Sequence, residues 1–188
     1  MRQELKVADN DTPIHYVCTH DQARALIARH DRYWIANCGC RERHGSCKQS
    51  RVDVCLWFRA DITTKFSGSH EAGEAEVERL LLEAQSKRLV ARPFRNHEDR
   101  SLTEGICFCC ADCCEYFLNP AEKCDKGSLR ELTDLDACTL CGVCIDECHF
   151  GARSLVDDNM LVDRDKCHGC GLCVEVCPED CIEMIVAQ

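Results

Sequence analysis

Two runs of four cysteines lie in the C-terminal third of the sequence, and both have the spacing C-x2-C-x2-C-x3-C. The first run is Cys138, Cys141, Cys144 and Cys148, and the second is Cys167, Cys170, Cys173 and Cys177. Three closely spaced thiolates wrap the backbone around one corner of a cuboidal cluster, and Gly142, Gly169 and Gly171 let main-chain amides approach the sulfurs. The pattern is an iron–sulfur signature, and its double occurrence predicts two 4Fe-4S clusters.

The total cysteine content is 20 in 188 residues, which leaves disulfides, zinc sites or iron–sulfur clusters as explanations. The N-terminus shows no apolar run followed by a small-residue cleavage site, so a secretory signal is not visible and disulfides lose their usual compartment. No stretch approaches the roughly twenty apolar residues of a membrane span. We therefore expect a soluble cytoplasmic protein whose thiols bind metal.

The negative charge is concentrated around the two cysteine runs. From residue 126 onward there are 13 acidic and 5 basic residues, which account for −8 of the formal net charge of −10. Such a surface disfavours nucleic acid, and it either favours a redox partner protein with a basic patch or simply keeps a small protein soluble.

The first 125 residues show alternating helix and strand signals. Thr19 and Gln22 resemble a capping box at the start of a helix over 20–31, and a strand follows at 33–35. A second helix is predicted over 71–87, with a short strand at 89–91 that stops at Pro93. The order predicts a small α/β or winged-helix-like unit. The second helix is strongly acidic, which argues against DNA binding.

Nine further cysteines in this region are candidate metal ligands. They are Cys38, Cys40, Cys47, Cys55, Cys107, Cys109, Cys110, Cys113 and Cys114. Cys38 and Cys40 are expected to point to the same side of an extended segment. The nine thiols can hold one 4Fe-4S cluster with spares, or two, and we favour iron–sulfur because further clusters would extend an electron path.

Zinc is the rival interpretation for these cysteines. Its tetrahedral ligands would come from one segment, which contains Cys38, Cys40, His44, Cys47 and Cys55. Nearby basic residues, Arg41 and Arg43 among them, either offset thiolate charge or form a docking site for an anionic partner or cofactor. Cys18, Cys124 and Cys181 are expected to be buried thiols, and the alternative for Cys18 and Cys124 is that either joins an N-terminal cluster.

Residues 128–188 resemble the bacterial-type two-cluster ferredoxins. The internal repeat matches Asp136-Ala-Cys138-x2-Cys141-Gly142 with Asp165-Lys-Cys167-x2-Cys170-Gly171, and Cys177-Pro178 ends the second run as in that family. The first run departs from the family, because His149 replaces the proline after Cys148. His149 and His168, beside cluster cysteines, either tune a cluster or are simply solvated.

The resemblance implies an α+β chain with two domains. Residues 126–188 would form the dicluster ferredoxin fold, two βαβ units related by a pseudo-twofold axis, and residues 1–125 the cysteine-rich α/β domain. Ligation in that family is crossed. One cluster would use Cys138, Cys141, Cys144 and Cys177, and the other Cys167, Cys170, Cys173 and Cys148.

The upstream cysteines, in the combination C-x-C-R with C-x-C-C-x2-C-C, resemble multi-cluster ferredoxin-like proteins of anaerobic bacteria. The expected function is low-potential electron transfer, by a free carrier or by the wiring subunit of an anaerobic oxidoreductase, with the catalytic subunit as partner. No nucleotide loop or nucleophile–base pair is evident, so no activity is expected of the chain alone. The alternatives are a redox or iron sensor, and a reductase with a catalytic cluster in the N-terminal domain.

Overall fold

The computed structural model describes residues 12–119 and 121–187. Residues 1–11, Pro120 and Gln188 lie outside these ranges. The helices are α1 His20–Ile27, α2 Gly39–His44, α3 Glu74–Ser86, α4 Glu115–Leu118, α5 Val143–Asp146 and α6 Leu172–Glu175, with a 3-10 helix at Ala60–Thr64. The strands are β1 His15–Tyr16, β2 Tyr33–Ala36, β3 Cys55–Trp57, β4 His70–Ala72, β5 Val90–Arg95, β6 Thr103–Cys109, β7 Cys124–Asp125, β8 Leu129–Thr133, β9 Arg153–Val156, β10 Asn159–Val162 and β11 Ile182–Val186.

A seven-stranded sheet organises the N-terminal half. Its order is β4-β2-β3-β6-β5-β1-β7, and its pairings are antiparallel except that of β1 with β7. Helices α1 and α3 contribute Ala23, Ile27, Leu80 and Leu81 to one core cluster with Ile106 of the central strand β6. A sheet of this size, which uses most of the strands of the region, differs from the predicted winged-helix-like unit.

The two predicted helices of this half exist, but both are shorter than predicted. Thr19 and Gln22 form the predicted capping box, with both reciprocal hydrogen bonds at 3.1 Å. Helix α1 nevertheless ends at Ile27, before the strand that begins at Tyr33. The second helix begins at Glu74 because residues 70–72 pair with β2 as strand β4. Residues predicted to form the first turn of the helix therefore lie partly in a strand that pairs with β2.

The prediction that Pro93 stops its strand is wrong. Strand β5 continues to Arg95, with Pro93 opposite Ile106 of β6. Proline removes a single N–H donor, and the residues on either side keep the strand paired until a register shift between Phe94 and Arg95.

The C-terminal half follows the order β8-α5-β9 and then β10-α6-β11, two strand–helix–strand segments. Pairing is exchanged between the segments, because β8 pairs with β11 and β9 with β10, both antiparallel. The pseudo-twofold relation remains a prediction. The large sheet ends with Asp125, at the predicted domain boundary, which also remains a prediction.

The two halves pack directly against each other. One ring nitrogen of His20 lies 2.7 Å from a carboxylate oxygen of Glu175, and the other lies 2.8 Å from the carbonyl of Leu89. A core cluster joins Val17 and Val90 of the first half with Leu172 of the second. Across the described ranges, no helix combines the length and apolar character required to cross a bilayer.

Candidate iron–sulfur and thiol sites

The second cysteine run surrounds a cavity to which the first run also contributes. Its thiol lining consists of Cys148, Cys167, Cys170 and Cys173. Three of these come from one run and one from the other, which is the crossed set that the family resemblance implies. The backbone amide of Ala152 donates to the Cys148 sulfur over 3.3 Å, so this sulfur already accepts the type of hydrogen bond that stabilises a cluster ligand.

A separate cavity gathers the complementary set. Its thiol lining consists of Cys138, Cys141, Cys144, Cys177 and Cys181. Cys181 was expected to be a buried thiol, and it is 8% exposed. Its sulfur lies 3.5 Å from that of Cys177, so five thiols share this cavity. The ligand sets remain predictions, and Cys181 is an additional candidate that spacing alone does not indicate.

Short helices place one cysteine of each run in its cavity. Helix α5 begins after Gly142 and carries Cys144, and helix α6 begins after Gly171. Gly169 has a φ of 71°, and a Cβ there would lie 1.9 Å from the carbonyl oxygen of Leu129. Only glycine permits this approach, which holds the second run against strand β8.

A buried arginine is the principal charge between these two cavities. Arg153 lines the cavity of Cys148, Cys167, Cys170 and Cys173. Its Nε donates over 3.2 Å to the sulfur of Cys144, which lines the other cavity. Its guanidinium also pairs with the buried carboxylate of Glu131 at 2.8 Å. Burial would lower the pKa of Arg153, but the Glu131 hydrogen bond and nearby cysteines raise it above its ordinary value. Sequence analysis missed this residue, which no motif marks.

Burial also sets the protonation of the ligands before metal binds. It raises the pKa of the Cys170 and Cys173 thiols to about 12. Both groups are therefore protonated at neutral pH without metal, and binding must release their protons. Nine thiols line the two cavities, and a buried cation lies between them. This arrangement matches the anionic charge and sulfur preference of iron–sulfur clusters.

The nine N-terminal cysteines converge from separate parts of the chain. Cys38 is the N-cap of α2, and Cys40 lies within that helix, so the predicted extended segment is wrong. The amide of Cys38 donates to the carbonyl of Val52, and the carbonyl of Cys38 accepts from the amide of Glu42, so the helix begins directly after Cys38. Cys55 lies in β3 and pairs with Cys107 of β6.

Most of these thiols form a continuous series of contacts. Cys38 contacts Cys40 and Cys55, whose sulfur is 3.9 Å from that of Cys107. At the other end, Cys40 contacts Cys114, and Cys114 contacts Cys109. Hydrogen bonds with Cys114 and Cys38 lower the pKa of Cys40, whereas that with Cys40 helps raise the pKa of Cys38 to about 12. We call these six residues the thiol chain.

A further cavity, which we call the thiol-chain cavity, is lined by every residue of the thiol chain except Cys55. Its lining also includes Cys110 and Cys113 and the arginines Arg41, Arg43 and Arg92. Arg92 is 3% exposed and lines this cavity. It donates to the sulfurs of Cys109 and Cys114 over 3.6 and 3.3 Å. Burial would lower the pKa of Arg92, but the thiolates, Cys109 first, raise it. At the cavity, Arg43 donates to Cys40 over 3.6 Å. The interpretation that cations offset thiolate charge fits both arginines.

The remaining three cysteines form a compact group at the edge of this cavity, which Cys110 and Cys113 also line. Cys47, Cys110 and Cys113 have sulfurs that all lie within 4.8 Å of one another. Among the residues with described coordinates, no other set of three Cys, His, Asp or Glu ligand atoms is this compact. The five residues of the predicted zinc site therefore do not come together, because Cys47 lies with Cys110 and Cys113 instead.

An aromatic group connects the N-terminal cavity with the second ferredoxin-type cavity. Tyr116 lines the former, and its hydroxyl lies 3.0 Å from Nε2 of His168. His168 and Phe150 line the latter and stack with ring centroids 4.3 Å apart. We call Tyr116, His168 and Phe150 the aromatic bridge. His149 Nε2 lies 3.0 Å from the carbonyl of Arg88, so His149 is anchored rather than freely solvated.

Comparisons with known proteins agree with the sulfur chemistry of the C-terminal half. The family description "4Fe-4S binding domain" matches residues 135–151 and, in a second family model, residues 160–183. No curated protein and no solved structure gives a significant match to the chain. The region 135–183 is a ferredoxin-like iron–sulfur domain that binds 4Fe-4S, and its general role is electron transfer.

Proposed function

We propose that this chain is a low-potential electron carrier with two 4Fe-4S clusters in its ferredoxin-like domain and a further iron–sulfur cluster in the thiol-chain cavity. Cys138, Cys141, Cys144 and Cys177 hold the first cluster, and Cys148, Cys167, Cys170 and Cys173 hold the second. The aromatic bridge carries this proposal, since it links the cavities of the second and third clusters through side chains in contact.

The protein's own residues set the conditions for electron transfer. A bound cluster supplies one-electron redox chemistry. Arg153 and Arg92 stabilise negative charge on the thiolates that they contact, while burial excludes water from the sulfurs. Tyr116 and His168 fix the separation of two cavities by a hydrogen bond, which keeps the distance for electron transfer constant.

The partner is proposed from charge. The ferredoxin-like half carries most of the net negative charge, so an oxidoreductase subunit with a basic patch would dock there. We propose a cytoplasmic setting, in an anaerobic metabolism that supplies low-potential electrons, and no interaction with nucleic acid. The chain would act alone or as the wiring subunit of a complex.

The direct test is a redox titration of the anaerobically purified full chain, followed by electron paramagnetic resonance. We expect three cluster signals, with midpoint potentials near roughly −400 mV, as in low-potential ferredoxins. Potentials near zero or above would contradict a low-potential carrier. Two signals instead of three would contradict a cluster in the thiol-chain cavity.

The bridge is tested by intramolecular electron transfer after rapid reduction of the ferredoxin-like clusters. Tyr116→Leu should slow transfer to the N-terminal cluster at least about tenfold, which corresponds to about 1.4 kcal/mol of barrier. Tyr116→Phe, which keeps the ring but loses the hydroxyl contact, should have a smaller effect. Phe58→Leu is the matched control, because Phe58 stacks on His30 away from both cavities. Equal rates in all variants would contradict a route through the bridge.

A reductase is the second candidate, and the cavity lining favours it. Arg43 and Arg92 line the thiol-chain cavity beside Cys40 and Cys109. Such a site suits a small anionic substrate that accepts electrons at an exposed iron. A change in the N-terminal resonance signal on adding nitrite or sulfite would support this candidate, and an unresponsive spectrum would oppose it.

A further inference from the structure

The compact group of Cys47, Cys110 and Cys113 has a geometry different from that of the other cysteines. Cys47 lies in the loop after α2, whereas Cys110 and Cys113 follow β6. The Cys110 sulfur lies 3.6 Å from that of Cys47 and 3.5 Å from that of Cys113. Cys110 and Cys113 are 1% and 3% exposed, whereas Cys47 is half-buried, so the group reaches solvent only on the side of Cys47.

These separations match a single metal ion. A tetrahedral zinc ion with Zn–S bonds of about 2.3 Å places its sulfur ligands about 3.8 Å apart. Ligands of a cuboidal cluster are spread more widely, because each thiolate binds an iron at a different corner. The cysteines of the two C-terminal runs do not form such a three-sulfur group within the part of the chain that the structure describes.

The charge around this group also fits a divalent ion. Arg41 is 3% exposed, and its guanidinium donates to the carbonyl of Phe108 over 3.2 Å. The same guanidinium lies 4.0 Å from the Cys110 sulfur and hydrogen-bonds to Cys113. A buried cation is stable only with anionic compensation. Three thiolates and one Zn²⁺ carry a net charge of −1, which the single positive charge of Arg41 neutralises.

Backbone amides complete the surroundings of the group. Gln49 and Ser50 donate backbone hydrogen bonds to Cys47. Such bonds orient a ligating thiolate and stabilise its charge. Among the described residues, no fourth Cys, His, Asp or Glu ligand atom joins the three sulfurs. The fourth tetrahedral position is thus left for water or another small ligand.

We propose that Cys47, Cys110 and Cys113 bind one zinc ion, balanced by Arg41 and separate from the iron–sulfur clusters. The site fastens the loop after α2 to the segment after β6. It is distinct from the zinc alternative predicted from sequence, which drew its ligands from one segment. It also leaves the six residues of the thiol chain for iron.

The test is zinc and iron analysis of the full chain, purified anaerobically from cells grown with both metals. The wild type should contain about one zinc per chain. Cys47→Ser removes a zinc ligand, so its zinc affinity should fall further than the roughly 10–100-fold loss that follows mutation of a residue hydrogen-bonded to a ligand. Iron and the resonance signals of the ferredoxin-like domain should be retained, which shows that the variant is folded. Cys18→Ser is the matched control, since Cys18 is a buried thiol outside both groups.

A second pair of variants tests the role of charge. Arg41→Met should weaken zinc affinity about 10–100-fold in competition with a chelator. Arg43→Met should leave zinc affinity unchanged, because Arg43 contacts Cys40 of the thiol chain. A wild type that lacks zinc while its ferredoxin-like clusters are loaded would overturn the proposal, as would full zinc retention in Cys47→Ser. Neither result depends on whether the thiol chain holds iron.

Discussion

The two cysteine-rich regions of this chain build their sites in different ways. In the ferredoxin-like domain, each cavity draws three cysteines from one short run and one from the other, and one of the cavities also includes Cys181. In the N-terminal half, the thiols come from helix, strand and loop positions far apart in sequence, such as Cys55 and Cys107. Local spacing therefore specifies the first kind of site, whereas the fold of the seven-stranded sheet specifies the second.

Charge compensation is the feature that both regions share. Arg153, Arg92 and Arg41 are each 4% exposed or less, and each guanidinium lies against cysteine sulfur. A buried arginine requires a compensating negative charge, which neighbouring cysteine thiolates would supply. The repetition of this arrangement supports metal–thiolate chemistry in the N-terminal half as well.

Removing one ligand of the second ferredoxin-type cavity should have the largest effect. Cys170→Ala should lower the iron content by about four atoms per chain and abolish one cluster signal. Because cluster binding is coupled to folding, protease digestion should then cut the C-terminal half rapidly. Iron analysis and limited proteolysis measure the two effects. Unchanged iron content would contradict ligation of a cluster by Cys170, and Cys18→Ala is the control.

The next effect concerns the buried arginine between the cavities. Arg153→Met should destabilise the domain by about 3 kcal/mol, since it leaves the buried carboxylate of Glu131 with less compensation. Arg164→Met is the matched control, because Arg164 pairs with the same carboxylate but is 45% exposed. Its loss should cost about 1 kcal/mol or less. Denaturant unfolding of the holoprotein measures both, and equal costs would contradict a special role for Arg153.

The smallest predicted effect is the pH dependence of stability that comes from Cys18, a buried thiol outside both N-terminal cysteine groups. Burial raises the pKa of Cys18 from 9.0 to about 12. The folded state favours the neutral thiol, so this contribution to stability is complete below pH 9 and is lost as pH rises toward 12. From pH 8 to pH 10 the wild type should lose about 1 kcal/mol more stability than Cys18→Ala. Unfolding measured at both pH values tests this, and parallel losses would show that Cys18 does not titrate as expected.

The iron–sulfur chemistry of the ferredoxin-like half could be predicted from the sequence, because its cysteines lie close together in the chain. The spacing of the runs indicated 4Fe-4S binding, which the family matches confirm at residues 135–183. The capping box at Thr19 was equally local and equally predictable. The grouping of Cys47 with Cys110 across 63 positions was not, since it depends on how β6 lies in the sheet. Arg153 and Tyr116 belong to no motif, and only their packing reveals them.

The central claim is that clusters occupy both halves of the chain, and the iron and acid-labile sulfide content of the anaerobically purified protein tests it most directly. We predict about twelve of each per chain, four for each of three clusters. In Cys109→Ala, which removes a thiol of the thiol-chain cavity, both should fall to about eight. A wild type with about eight irons would contradict the claim, because only the ferredoxin-like domain would then carry clusters.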